Sequence, residues 1–193
     1  IFILSTDPRR AARMHCNIHC VKMILESVQL LYSVWWFYFE QSKIEPFWDN
    51  VVPYKKTHIN HPCAIWVRHD ENHYKWLIDM CEELCKEYTL RYKKVHKSRE
   101  HLLNLKRFGY PPIEKCDIPN RLYNKLSTHK TPKCCKFFLC AIEDSIFEEC
   151  VVYNKENNIN CVKTYRNYYK YKEKHTFKRQ MTWTTIHEPY WFI

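Results

Sequence analysis

Glycine is nearly absent: Gly109 is the only one in 193 residues. Phosphate-cradling loops and dinucleotide-binding turns need several glycines at fixed spacing, so the P-loop and Rossmann classes are excluded by that count. Long apolar runs are missing too. The most apolar window, "LLYSVWWFYFE" from Leu30, falls well short of the roughly 20 residues a membrane helix requires, and no membrane partner is expected. No CxxC pair occurs among the eleven cysteines; the nearest approaches are Cys16 with Cys20, Cys81 with Cys85, and adjacent Cys134 and Cys135. That spacing argues against structural zinc, and neither a metal nor an organic cofactor is implied. The amino end shows no basic segment leading into an apolar run, and Asp7-Pro8 interrupts it early. Without a secretory signal, the cysteines read as reduced thiols, several of them buried as small hydrophobes.

What is present is core material and positive charge. Hydrophobic residues make up 46% and aromatic residues 16% of the chain, too much for a disordered polyelectrolyte, and one domain over 1–193 is expected. The formal net charge is +10. The excess gathers in "RYKKVHKSR" (91–99) and "KTYRNYYKYKEKHTFKR" (163–179). Such runs attract phosphate polymers, and tyrosines set among lysines can stack on unpaired bases. A nucleic-acid partner follows, contacted by Arg68, Arg91, Lys94, His96 and Lys97 and by Tyr165, Arg166, Tyr168 and Tyr169. A solvated lysine face is the alternative.

The pattern predicts a mostly α fold, a single compact helical domain with long irregular connections. "IFILS" reads as a short strand or extended lead-in. Asp7 as N-cap with Pro8 at the first helical position predicts a helix running to about Tyr32. Asn60 or His61 caps a second helix with Pro62 near its start, and after a break at Asp70 a third covers 72–92. Further helices are expected over 97–107 and 160–174, while "KFFLCAIEDSIFEECVVY" reads as a helix or a pair of strands. Trp66, Tyr74 and Trp76 are assigned to the core.

The first helix carries the candidate site. With His15 at zero and about 100° per residue, His19 falls at about 40°, Lys22 at about 340°, Glu26 at about 20° and Gln29 at about 320°. The rest of the circle is nearly all apolar, an inversion of the usual surface helix. Burying such a stripe is costly unless its groups pair or line a wet cavity, so His15, His19, Lys22 and Glu26 are read as an active-site wall. The alternative is a solvent-facing ladder in which Lys22 and Glu26 pair at i, i+4. A third reading, with His15 and His19 as a metal pair, lacks a completing carboxylate. Adjacent His69-Asp70 is similar to the dyad of HD-type phosphohydrolases, whose remaining ligands nothing here singles out. Arg68 suits phosphate, because its fork matches phosphate oxygens.

Three phrases, "DPRRAARMHCNIHCVKMILESVQLL", "YKKTHINHPCAIWVRHDENHYKWLIDMCEELCKEYTLRYKKVHKS" and the later "YRNYY" with "EPYWF", resemble a family of small, largely uncharacterised proteins of tailed bacteriophages and large DNA viruses. That resemblance covers somewhat over half the chain, with insertions at 33–50 and 131–158, and implies the reducing cytoplasm of an infected host cell. A more distant likeness is to pyrimidine-dimer DNA glycosylases of the endonuclease V type, which share the early Asp-Pro, a histidine where His15 stands and an acidic residue from the same helix. Glu26 is the nearest equivalent by role, although Lys22 lies nearer the family's spacing. These enzymes use the amine of the residue after the initiator methionine, and an isoleucine there departs from the pattern. The expectation is a virus-encoded enzyme on DNA or nucleotides with glycosylase/lyase chemistry. Lys22 would be the amine, its pKa lowered by burial and by His15 and His19, and Glu26 the acid/base. The rivals are a metal-dependent phosphohydrolase and a non-enzymatic nucleic-acid-binding accessory protein.

Overall fold

A computed structural model describes residues 1–39, 51–112, 117–127, 137–184 and 188–192. Its helices are α1 (Pro8–Arg13), α2 (Asn17–Tyr38), α3 (Pro62–His69), α4 (Glu71–Tyr92), α5 (Arg99–Phe108), α6 (Asp144–Cys150) and α7 (Cys161–His175). A 3-10 helix, Asn120–Lys125, precedes strand β1 (Leu126–Ser127). β1 pairs antiparallel with β2 (Phe138–Leu139), with Leu126 opposite Leu139. The mostly α expectation holds. Of the expected insertions, 40–50 and 131–136 lie outside the described residues; 33–38 continue α2, and 144–150 form α6.

Local chemistry sets several boundaries where the sequence placed them. His61 caps α3 by accepting from the Cys63 N–H at 3.1 Å, with Pro62 next to it. Asp70 ends α3 in an extended conformation and caps α4, its Oδ1 accepting from Asn72 N at 2.9 Å. Asp7 caps α1 through Arg10 N at 2.7 Å. Residues 1–5 are an extended lead-in rather than a strand.

The single helix expected from Asp7 to Tyr32 is two helices. Met14 closes α1, Cys16 is extended, and α2 starts at Asn17 and runs on to Tyr38. A break of this kind leaves backbone groups without helical partners, and residues far away in sequence supply them. The Tyr169 hydroxyl accepts from Cys16 N at 2.9 Å, and Thr182 O accepts from Asn17 N at 2.8 Å. Arg91 donates to the carbonyls of His15 (2.7 Å) and Arg13 (3.3 Å), and Trp183 Nε1 to that of Met14 (3.0 Å).

α4 lies at the centre, packed against α1, α2, α3 and α5, while α6 packs on α7. One contiguous apolar cluster joins these layers and includes Trp66, Tyr74 and Trp76 from the α3–α4 corner. All eight described cysteines are free and buried, as their small-hydrophobe reading expected.

Candidate active site

α2 places the expected stripe, but not all of it inward. His19 is buried, whereas the Lys22 side chain is 65% exposed and that of Glu26 is 34% exposed. Lys22 Nζ and Glu26 Oε1 pair at 3.3 Å, the spacing of the solvent-side ladder. One apolar flank also faces out: Ile18, Val21 and Leu25 are exposed. The helix therefore buries one side, through Cys20, Met23, Ile24 and Val28, and turns the Lys22–Glu26 side to the surface.

His15 sits in the break between α1 and α2, so the angle assigned to it on a continuous helix does not apply. Its Nδ1 contacts Ala11 O at 2.7 Å, and its Nε2 has no hydrogen-bond partner. Its ring and that of His19 pack against Phe2 and Tyr169. Burial lowers the pKa of His15 to about 4 and, with help from His15, Lys172 and Lys22, that of His19 to about 2. Both imidazoles are neutral at neutral pH. They therefore cannot act as the positive neighbours that were expected to lower the pKa of Lys22.

Glu26 stands at the edge of a recess of about 290 Å³, whose lining includes Ile1, Gln29, Thr57, His58 and His61. That volume is near the lower end for ligand pockets, about 300–1,000 Å³. The extended lead-in brings Ile1 here, its amino nitrogen 4.0 Å from Cys63 Sγ. Arg68, expected to share this hollow, does not line it. It is 4% exposed, donates to Ile59 O and lies over the Phe37 ring at 4.1 Å. A larger groove, about 910 Å³, runs between α4 and α5 past Arg13, Cys85, Leu90 and Arg99, and holds none of the stripe.

One residue beside the site was not singled out in the sequence. Lys172, half-buried near the end of α7, has its pKa lowered by burial and by the like charge of Lys22, against the opposing pull of Glu26. Its ammonium lies 5.1 Å from the Tyr168 ring. No periodicity on α2 could point to a lysine about 150 residues further on, a distance only folding closes.

The other expected contacts divide. Lys94 and Lys97 are exposed and Tyr168 is half-buried. His96 Nδ1 accepts from Ser98 N at 3.1 Å, so it shapes the turn into α5. Arg91 is 7% exposed and bound to Glu87 at 2.9 Å as well as to the backbone of the α1–α2 break, which makes it an internal clasp rather than a phosphate ligand. Tyr165 and Tyr169 are fully packed, their hydroxyls held by Ala141 N and Leu139 O and by Cys16 N, and neither has a face left for a base. Arg166 bonds Leu4 O and stacks on Trp191. Tyrosine alternating with lysine here marks a helix that packs its tyrosines.

The family model for pyrimidine dimer DNA glycosylase matches residues 1–101, which carry α1 to the start of α5 and every residue named for the recess. Comparisons with curated proteins and with solved structures gave no match. With just over half its length matched, the half that holds the Lys22–Glu26 pair, this chain belongs to the pyrimidine dimer DNA glycosylase family.

Proposed function

We propose that the chain is a glycosylase that removes damaged pyrimidines from DNA by way of a covalent amine adduct, with Glu26 as its proton-transfer group. One observation carries this reading: Glu26, a carboxylate that lines a recess, lies 3.3 Å from an amine, Lys22. The chemistry needs those two groups. An amine attacks C1′ of the deoxyribose, the C1′–N bond breaks, and the base leaves with the bonding electrons and takes up a proton. Protonation of the ring oxygen then opens the sugar to a Schiff base, and loss of a proton from C2′ permits strand cleavage by elimination. Glu26 takes up the proton that the attacking amine loses, gives it to the ring oxygen as the acid, and then removes the C2′ proton as the base, while solvent protonates the departing base.

Lys22 is the amine the α2 geometry favours. A second reading follows the resemblance: in this family an α-amino group serves as the nucleophile, and Glu26 would serve either amine. Phosphates of the bound DNA meet Lys172 beside the Lys22–Glu26 pair and Lys94 and Lys97 beyond α4. The rival metal reading has little to draw on. Asp70 is engaged as the α4 cap, His73 Nδ1 contacts Trp66 O at 2.7 Å, and among the described residues no group of three or more His, Cys, Asp or Glu side chains is arranged to hold a metal ion.

The test is borohydride reduction during turnover of ultraviolet-irradiated duplex DNA by the full-length protein, followed by peptide mapping of the adduct. Trapping at Lys22 or at an α-amino group, abolished by Glu26→Gln, is the expected result. Base release without any adduct, or none at all, refutes the mechanism.

A further inference from the structure

We infer that the groove between α4 and α5 is the docking site for an acidic amphipathic helix of a partner protein. The inference is independent of the reaction chemistry, because this groove and the recess beside Glu26 share no lining residue.

The chain that follows α4 makes the groove. Lys93, left-handed at φ 56°, ends α4, and a short connection to Ser98 turns the backbone so that α5 runs back along α4. Lys106, near the end of α5, then reaches Glu82 at 2.8 Å, and the two helices with Arg13 of α1 border a trough of about 910 Å³. With Arg99 as zero and about 100° per residue, Leu103 lies at about 40°, Lys106 at about 340° and Leu102 at about 300°, so one face of α5 meets the trough. Leu102 and Cys85 line it as buried residues, whereas Leu90, Val95 and Leu103 line it while 49%, 64% and 46% exposed. Apolar lining this open to water suits a segment laid across it better than an enclosed small molecule. Two antiparallel helices leave a groove between their ridges in which a third helix packs. Leucines at three- and four-residue steps on that third helix would cover Leu90, Val95 and Leu103.

The ionic groups decide the partner's charge. The lining holds three carboxylates, and each already has a cation: Glu82 has Lys106, Glu83 has Arg13 at 2.6 Å and Lys86 at 3.2 Å, and Glu87 has Arg91 at 2.9 Å. Among the described residues, Arg99 is the lining cation left without a carboxylate. A carboxylate on the partner completes it, and the net charge of +10 draws an acidic partner from a distance. The same charge opposes a second copy of this chain. Duplex DNA is disfavoured for another reason: it has no aliphatic face to cover the leucines, and its phosphates would meet Glu82, Glu83 and Glu87. A partner held here leaves the recess unoccupied.

The test is fluorescence anisotropy of the full-length protein with labelled synthetic peptides. The probe is a helical peptide with leucines on one face and glutamates on the other. One control carries lysine for glutamate, and a second has the same residues scrambled so that the leucines share no face. The acidic peptide should bind, and both controls should bind at least tenfold more weakly. Arg99→Glu should weaken the acidic peptide at least tenfold and strengthen the lysine peptide, and Leu90→Gln/Leu103→Gln should abolish binding. These side chains are exposed, so urea midpoints should match the wild type. No binding of the acidic peptide up to about 1 mM, the weak end of specific association, overturns the proposal. So does binding that is indifferent to Arg99→Glu or to the leucine variant. Displacement of the peptide by undamaged duplex DNA would make the groove a nucleic-acid surface, and wild-type self-association abolished by Leu90→Gln/Leu103→Gln would make it a contact between copies; either result also overturns the proposal. Protein that binds the peptide as expected but releases no base refutes the glycosylase reading alone.

Discussion

Glu26 and Lys22 lie one helical turn apart, yet they differ in what their loss should do. Glu26→Gln keeps the shape of the side chain and removes only its proton exchange, so activity should drop by about 10²–10⁴-fold with the urea midpoint unchanged. Lys22→Ala should abolish adduct formation if Lys22 is the nucleophile and only weaken DNA binding if an α-amino group is; single-turnover trapping separates the two. Arg91 belongs to a different category, although it lies in the same basic run as Lys94 and Lys97. Arg91→Met would leave Glu87 buried without its partner at 2.9 Å and release two carbonyls of the α1–α2 break. A loss of about 3–5 kcal/mol in chemical denaturation is expected. The sequence shows three similar cations here; which one points inward depends on the helix they share and on what packs against it.

Helix ends were the most legible elements, because a cap is made by neighbours in sequence. Asp7, His61 and Asp70 act at the positions their spacing to the next apolar run indicates. The α1–α2 break was not legible for the converse reason. "RMHCNIHC" contains neither proline nor glycine, and nothing local opposes helix there. What stabilises the break is a set of partners 76 and 153 residues away, Arg91 and Tyr169. Tyr169→Phe tests this directly. It removes the acceptor of the buried Cys16 N–H together with the hydroxyl's bond to the Cys16 thiol, and should cost about 1–3 kcal/mol, read from urea denaturation, with faster amide exchange at Cys16. Should stability and exchange both stay at wild-type values, the break must be held in another way.

At the scale of the whole molecule, the two buried histidines couple stability to pH. Their pKa values are lower in the folded protein, about 4 for His15 and about 2 for His19, than the ordinary 6.5. Between those values the unfolded chain binds more protons, so the stabilisation is complete above pH 6.5 and declines as the pH falls below it. At 1.36 kcal/mol per pH unit, each histidine forfeits about 3 kcal/mol of stability between pH 6.5 and 4. Urea midpoints across that range should fall steeply, and His15→Gln should flatten the slope by about one proton; a flat wild-type profile would show that the rings are solvated. DNA binding is the second molecular property. Lys94→Gln/Lys97→Gln should reduce the slope of log K against log salt by about 2, since each phosphate contact contributes about 0.9.

The sequence alone determined the class of the molecule and the spacing of one row of side chains: near-absence of glycine removed nucleotide folds, apolar periodicity gave helices, and the α2 pattern put His19, Lys22 and Glu26 on one face. These follow from properties of one residue and its near neighbours. Tertiary structure decided which part of that face meets water, that His15 leaves the helix, that Arg68, Tyr165 and Tyr169 are interior, and that Ile1, His61 and Lys172 gather about Glu26. Each of those outcomes depends on contacts between segments far apart in the chain, where burial is set by the partner surface and not by the residue that is buried.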